Sequence, residues 1–145
     1  MGRQVKLRVL LDGLVEDAGR ITREGRPAID DPAVAAALAR AHVELEVLRH
    51  QSYRSVGAMV ASGRPGVGSS VDKLFMATAE QRLGDACLAV MGPFATQPAG
   101  EPWDADPRRW QGTYLYGRAA SIYGGTAQIQ KNIIAERILG LPRSG

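Results

Sequence analysis

The sequence predicts an all-α protein: an antiparallel helical bundle of the four-helix type, with residues 1–145 forming a single domain. Three observations carry this expectation. Apolar residues recur three or four positions apart over long stretches, the period of a helix face turned to a core. Residues that start and stop helices bracket those stretches. No period-two alternation is long enough for a strand, and no internal repeat is present. A chain of 145 residues buries about two-thirds of the surface its unfolded form exposes, enough for a real core.

The first predicted helix covers residues 4–19, with Val5, Val9, Leu10 and Leu14 at helical spacing and Gly19 closing it. The spacing begins almost at once, with no cap before it, so the chain is expected to begin inside a helix. A polar stretch follows through Arg26-Pro27. Asp31 then offers its carboxylate to the free amides of a second helix, with Pro32 at the first helical position, where a missing N–H costs nothing. Val34, Leu38, Ala41, Leu45, Leu48, Val56 and Met59 form one stripe down to Ala61, a rod about 45 Å long at 1.5 Å per residue.

Gly63-Arg64-Pro65-Gly66-Val67-Gly68 breaks the chain, and Ser69 or Ser70 is expected to cap a third helix running to about Met91. Its inner face mixes Leu74, Leu88 and Met91 with the small Ala77, Gly84 and Ala86, which lets another helix approach closely. Gly92-Pro93 ends it, and Pro98, Gly100 and Pro102 fill a loop. A shorter helix spans about Pro107 to Ala120, and a last one runs from Thr126 to Leu139, where Gly140 and Pro142 give a stop. Long helices on short loops imply antiparallel neighbours.

Composition narrows the function classes. Hydrophobic residues make up 45% and charged residues 23%, ordinary for a globular protein and incompatible with wholesale disorder. The net charge of +3 is spread along the chain among acidic residues, which describes a solvated mixed surface and not the clustered basic face of a nucleic-acid binder. Cys87 is the only cysteine, so no disulfide forms within the chain and a reducing cytoplasm is the expected setting. Its neighbours Ala86, Leu88 and Ala89 predict a buried, inert thiol. No apolar run approaches the roughly 20 residues that span a bilayer, and no signal-peptide block follows the first residues. His42 and His50 lack metal-spaced partners, so no metal site is expected. Trp103 and Trp110 flank the proline-rich loop as packing anchors.

From Arg118 to Pro142 the chain reads Arg-Ala-Ala-Ser-Ile-Tyr-Gly-Gly-Thr-Ala-Gln-Ile-Gln-Lys-Asn-Ile-Ile-Ala-Glu-Arg-Ile-Leu-Gly-Leu-Pro. This closely resembles the final segment of acyl-CoA dehydrogenases, Ile-Tyr-(Glu or Gly)-Gly-Thr-x-(Glu or Gln)-Ile-Gln followed by an apolar helix. Ser69-Ser70-Val71-Asp72-Lys73-Leu74-Phe75 and Gln81-Arg82-Leu83-Gly84-Asp85 extend the resemblance upstream. Nearly the whole chain is thus similar to that family's C-terminal bundle, with the family's N-terminal helical and β domains expected to be absent.

The resemblance implies FAD as cofactor, an acyl-CoA thioester as substrate, and assembly as a homo-oligomer or with another acyl-CoA dehydrogenase subunit. It implies that Gly125, Thr126 and Gln128 contact the FAD, and that Tyr123 and Gly124 lie on the substrate side. The residues suit those roles: Gly124-Gly125 lets the backbone pass close to a bulky ligand, and the following helix presents free amides and a positive dipole end. A plainer reading stands beside this one, in which Gly124-Gly125 is a turn, Thr126 a cap and Tyr123 an aromatic packed at a helix end.

Three family features are missing. The family's base, a glutamate directly before Gly-Thr in many members, would remove the α-proton of the thioester while the β-hydrogen leaves as hydride to the flavin. That position is Gly124, so the chain has no catalytic residue there. The alternative position, a glutamate beside an arginine on an earlier helix, would precede residue 1, and Glu16, Glu24, Glu44, Glu46, Glu80, Glu101 and Glu136 match neither. The Arg-x-Phe-Gly motif has no counterpart between Arg20 and Asp31, and the glutamine of Gln-x-x-Gly-Gly is replaced by Leu88 or Ala89. Two roles follow as expectations: the C-terminal portion of an FAD-dependent acyl-CoA dehydrogenase, inactive alone, or a non-catalytic module that pairs with a catalytic subunit.

Overall fold

The computed structural model describes residues 2–63, 66, 68–96 and 107–143, except the side chains of 107 and 108. Five helices are found there: α1 (Gly2–Arg20), α2 (Pro32–Ser62), α3 (Gly68–Met91), α4 (Pro107–Ala119) and α5 (Ala127–Arg137). Residue pairs across the interfaces set their directions. Arg8 on α1 bonds Glu46 on α2, while Val15 lies beside Leu38. Gly84 faces Tyr114 and Gly117 faces Glu80 across the contact of α3 with α4. Both pairings are antiparallel, so the all-α antiparallel bundle expected from sequence is what forms.

The core follows the predicted stripe in part. Leu7, Leu11 and Leu14 of α1 meet Val34, Leu38, Ala41, Leu45 and Leu48 of α2 and Leu83, Cys87, Val90 and Met91 of α3. Val5 and Val9, expected on the inner face of α1, are exposed. Met59, the last member of the α2 stripe, is also exposed. The reason is length: α1 has 19 residues and α2 has 31, so the last turns of α2 run past the partner that would cover them.

Asp31 caps α2 as predicted, its side chain accepting from the Ala33 amide, with Pro32 in the first turn and Gly63 in the left-handed conformation closing the helix. Other boundaries moved. Helix α1 begins at Gly2 and runs through Gly19. Helix α3 begins at Gly68, so Ser69 and Ser70 lie inside it and neither caps it. Helix α5 begins at Ala127 with Thr126 as its cap and ends at Arg137. Between α1 and α2 the chain forms a two-stranded antiparallel hairpin, β1 (Thr22–Arg23) and β2 (Arg26–Pro27), that the sequence reading did not foresee. Its turn places Glu24 and Gly25 at positive φ, the geometry of tight hairpin turns, for which Glu is an unusual first residue.

The mixed surface is as expected: Arg8 pairs with Asp12 and Glu46, Arg49 with Glu46, and Arg118 with Asp85. No described helix is long and apolar enough to cross a membrane. His42 and His50 are exposed on α2, and the described residues hold no cluster of metal-ligating side chains. Trp110 is fully buried and donates its indole N–H to Asp17 at 2.9 Å. Trp103 and the proline-rich loop lie outside the described residues. Cys87 is buried, and desolvation pushes its thiol up to about 12, which fits the inert core thiol predicted.

Candidate functional site at the turn before the last helix

The turn between α4 and α5 is built by backbone bonds from its own residues. The Ile122 and Tyr123 amides both donate to Ala119 O, and the Ala127 amide donates to Ser121 O at 3.2 Å. Gly124 and Gly125 have φ of +66° and +97°, a region that L side chains enter only with strain. At Gly125 there is a further reason for glycine: a Cβ would lie 2.6 Å from Gln130 Nε2. That amide reaches back from the buried Gln130 to donate to Gly124 O at 2.9 Å.

The Thr126 side chain caps α5, accepting from the Ile129 amide at 3.3 Å. With the Ala127 amide directed to Ser121 and the Ile129 amide to Thr126, the Gln128 amide remains among the first three of the helix. The Gln128 side chain is exposed beside it. The lip therefore presents a bare glycine backbone, one helix-terminal amide, the Gln128 carboxamide and the Thr126 O–H, which can donate while its oxygen accepts. These donors suit a flat ligand with acceptor atoms along one edge.

Tyr123, half-buried, donates its hydroxyl to Glu80 Oε2 at 3.1 Å. Its ring centroid lies 6.1 Å from that of Tyr116 and 5.2 Å from Lys73 Nζ. Burial, then the neighbouring Glu80 charge, holds the Tyr123 phenol above its ordinary pKa. Lys73, from α3, donates to Ala120 O and lies near Gly124, where a Cβ would meet Lys73 Cε at 3.5 Å. Arg3 pairs with Glu80; burial opposes the guanidinium charge, but the hydrogen bond to Glu80 and its charge outweigh that and raise the Arg3 pKa.

The structure thus brings Tyr123, Gly124, Gly125, Thr126 and Gln128 onto one lip. Behind it stand Arg3, Lys73, Glu80 and Gln130, none of which the sequence reading singled out for the site. A charged residue at Glu80, three positions after Ala77 and four before Gly84 on the inner face of α3, was the available signal.

At the other end of α3, Leu88 is half-buried, and the carbonyls of Ala89 and Val90 accept from the Arg23 guanidinium. Arg23 belongs to the hairpin that occupies the span between Arg20 and Asp31. It closes the α3 terminus at Gly92, whose φ is +57° and where a Cβ would meet Arg23 at 2.7 Å.

Fold and lip together define a helical bundle with a candidate site at the N-terminus of its last helix. The family model for the acyl-CoA dehydrogenase C-terminal domain matches residues 1–139, and the chain belongs to that family. Acyl-CoA dehydrogenase IpdE1 of Mycobacterium tuberculosis is 39% identical over 144 residues, covering 99% of this chain and 34% of that protein. IpdE1 of Mycolicibacterium smegmatis is 34% identical over 143 residues, covering 99% of this chain and 33% of that protein. The chain therefore spans about a third of the length of these relatives.

Among solved structures, the ChsE4–ChsE5 complex from Mycobacterium tuberculosis superposes with a TM-score of 0.81 at 25% identity, over 97% of this chain and 37% of that one. An FAD complex of PigA gives 0.77 at 23% identity, over 96% of this chain and 34% of that one, a likeness of fold.

Proposed function

We propose that this chain serves as the C-terminal bundle of an FAD-dependent acyl-CoA dehydrogenase, catalysing α,β-dehydrogenation of acyl-CoA thioesters, and that it is inactive alone. The observation that carries the reading is the Gly124–Gln128 lip, whose open backbone and unspent donors fit the acceptor-rich edge of a flavin. Thr126 and Gln128 would hold the FAD by hydrogen bonds, with Gly125 allowing close approach. Tyr123 and Gly124 would face the substrate. FAD, when bound, would supply the acceptor for the hydride that leaves the β-carbon. The chain's own residues would orient the ligand; the α-proton needs a carboxylate from elsewhere, because Gly124 has none and both oxygens of Glu80 are engaged. We assign the protein to the cytoplasm, to fatty acid or lipid degradation, and to an oligomer.

Titration of FAD fluorescence tests the lip. Weak quenching by the chain, diminished by Thr126→Ala and by Gln128→Ala, is expected. Equal quenching by all three proteins removes the lip as the contact, and tight stoichiometric binding by the chain alone contradicts a site completed by other parts.

A second reading is favoured by glycine at the base position: a non-catalytic module that pairs with a catalytic acyl-CoA dehydrogenase subunit and contributes interface and flavin contacts. A hetero-complex that stays active after its partner's base is kept and this chain's lip is mutated would separate assembly from flavin binding.

A further inference from the structure

Taking a carboxylate out of water costs several kcal/mol unless other groups compensate it. Glu80 is 3% exposed and lies between Ala79 and Leu83 on the inner face of α3. Two groups compensate it: the Arg3 guanidinium of α1 pairs with Oε1, and the Tyr123 hydroxyl donates to Oε2. Helix α4 presses on the same place, since a Cβ at Gly117 would lie 3.2 Å from the Glu80 carbonyl. Helix α1 and the turn after α4 thus meet at the Glu80 carboxylate, while α4 itself packs against the Glu80 main chain. Apolar side chains commonly fill such a position at equal or better stability, so bundle stability alone gives little reason for an ion pair there.

What the arrangement does constrain is Tyr123. Its hydroxyl is held at one end by Glu80, and two cations lie near its ring, with Arg3 5.9 Å and Lys73 5.2 Å from the centroid. Its main chain leads directly into Gly124–Gly125, the least constrained backbone of the lip. We propose that Glu80 is a positioning residue: neutralised by Arg3, it clamps the Tyr123 hydroxyl and thereby fixes the Tyr123 ring and the glycine backbone after it as the rigid wall of the acyl-thioester side of the site. The substrate side of that statement rests on the flavin and acyl-CoA reading given above. The clamp does not. With Oε1 and Oε2 both occupied, Glu80 acts through Tyr123 and not as a proton acceptor.

The test uses the 145-residue chain without flavin, in wild-type form and as Glu80→Gln, Glu80→Ala and Tyr123→Phe, each first checked for helicity by circular dichroism. Hydrogen exchange is read at the Tyr123 and Ala127 amides, which bond Ala119 O and Ser121 O, against amides in the core of α2. Loss of a hydrogen bond worth about 1.4 kcal/mol corresponds to roughly tenfold faster local opening. Tenfold faster exchange at Tyr123 and Ala127 in Glu80→Ala and Tyr123→Phe, with α2 unchanged and Glu80→Gln intermediate, is the expected result.

Phenol titration by ultraviolet absorbance, with Tyr123→Phe identifying the signal, is the second readout. Arg3, Lys73, Glu80 and Tyr116 are the charged and titratable groups facing Tyr123. Removing the Glu80 charge should shift the Tyr123 titration to lower pH, because the Glu80 carboxylate is one of the groups that hold the phenol protonated. Exchange at the turn that matches wild type, or that rises only in step with α2, overturns the clamp, as does an unmoved Tyr123 titration. Because no flavin is present, that failure leaves the FAD reading standing, to be judged by the Thr126 and Gln128 variants.

Discussion

Replacing Gly124 with glutamate recreates the Tyr-Glu-Gly-Thr sequence of many acyl-CoA dehydrogenases, and the structure predicts what the carboxylate would meet. Gly124 has φ +66°, where a side chain costs about 1–2 kcal/mol. Its Cβ would have ordinary contact with Lys73 Cε at 3.5 Å, so the new carboxylate would lie within reach of the Lys73 ammonium. Such a partly exposed pair returns roughly 0–1 kcal/mol, leaving a net loss of about 1 kcal/mol and a fall in Tm of roughly 3–5 °C. The same cation would hold the carboxylate below the usual range, which weakens it as a base.

A positioned base contributes about 10²–10⁴-fold only when its proton is already within hydrogen-bond reach, and orientation of the reactants accounts for roughly 7–11 kcal/mol more. Gly124→Glu should therefore leave the chain inactive in an artificial-acceptor assay with acyl-CoAs of several lengths, with or without FAD. Turnover by this variant, or a Tm at or above wild type, would refute the reasoning.

Two glycines should respond oppositely to alanine. Gly57 has open space around it in α2, so Gly57→Ala should stabilise by about 0.5–1 kcal/mol through helix propensity. At Gly84 a Cβ would lie 3.0 Å from Tyr114 Cα, backbone that cannot rotate away, so overpacking of about 1–3 kcal/mol should outweigh that gain; thermal melts of both variants check the signs. Trp110→Phe leaves the buried Asp17 carboxylate without its indole donor and should cost roughly 2–4 kcal/mol, measured by urea unfolding. For Cys87, burial raises the folded pKa from 9.0 to about 12, so its contribution is intact below pH 9 and is lost as pH rises from there towards 12. Stability should fall by about 1.4 kcal/mol per pH unit in that window, and Cys87→Ala should remove that part of the slope.

The fold was legible because helix signals here are local. Asp31-Pro32 fixes the start of α2 from two adjacent residues, and Gly63 and Gly140 mark stops for the same reason. Capping by Ser69 or Ser70 failed because the chain enters α3 at Gly68, a choice that packing decides. The exposed Met59 shows a second limit: periodicity gives a helix face but not the length of the partner covering it. At the site, Gly124–Gln128 was readable as a contiguous stretch. Arg3, Lys73 and Glu80 reach the same place from 120, 50 and 43 residues before Tyr123 in sequence, and only the bundle geometry brings them together.

The central claim, that Gly124–Gln128 is a flavin contact completed by parts outside this chain, is tested most directly by supplying those parts. A chimera can be made in which this chain replaces the matching third of Mycobacterium tuberculosis IpdE1. If it is assembled with whatever subunits that protein requires, it should retain FAD through gel filtration, and Thr126→Ala with Gln128→Ala should release it. A chimera that is folded and helical yet colourless, or one whose FAD content ignores both substitutions, would contradict the account.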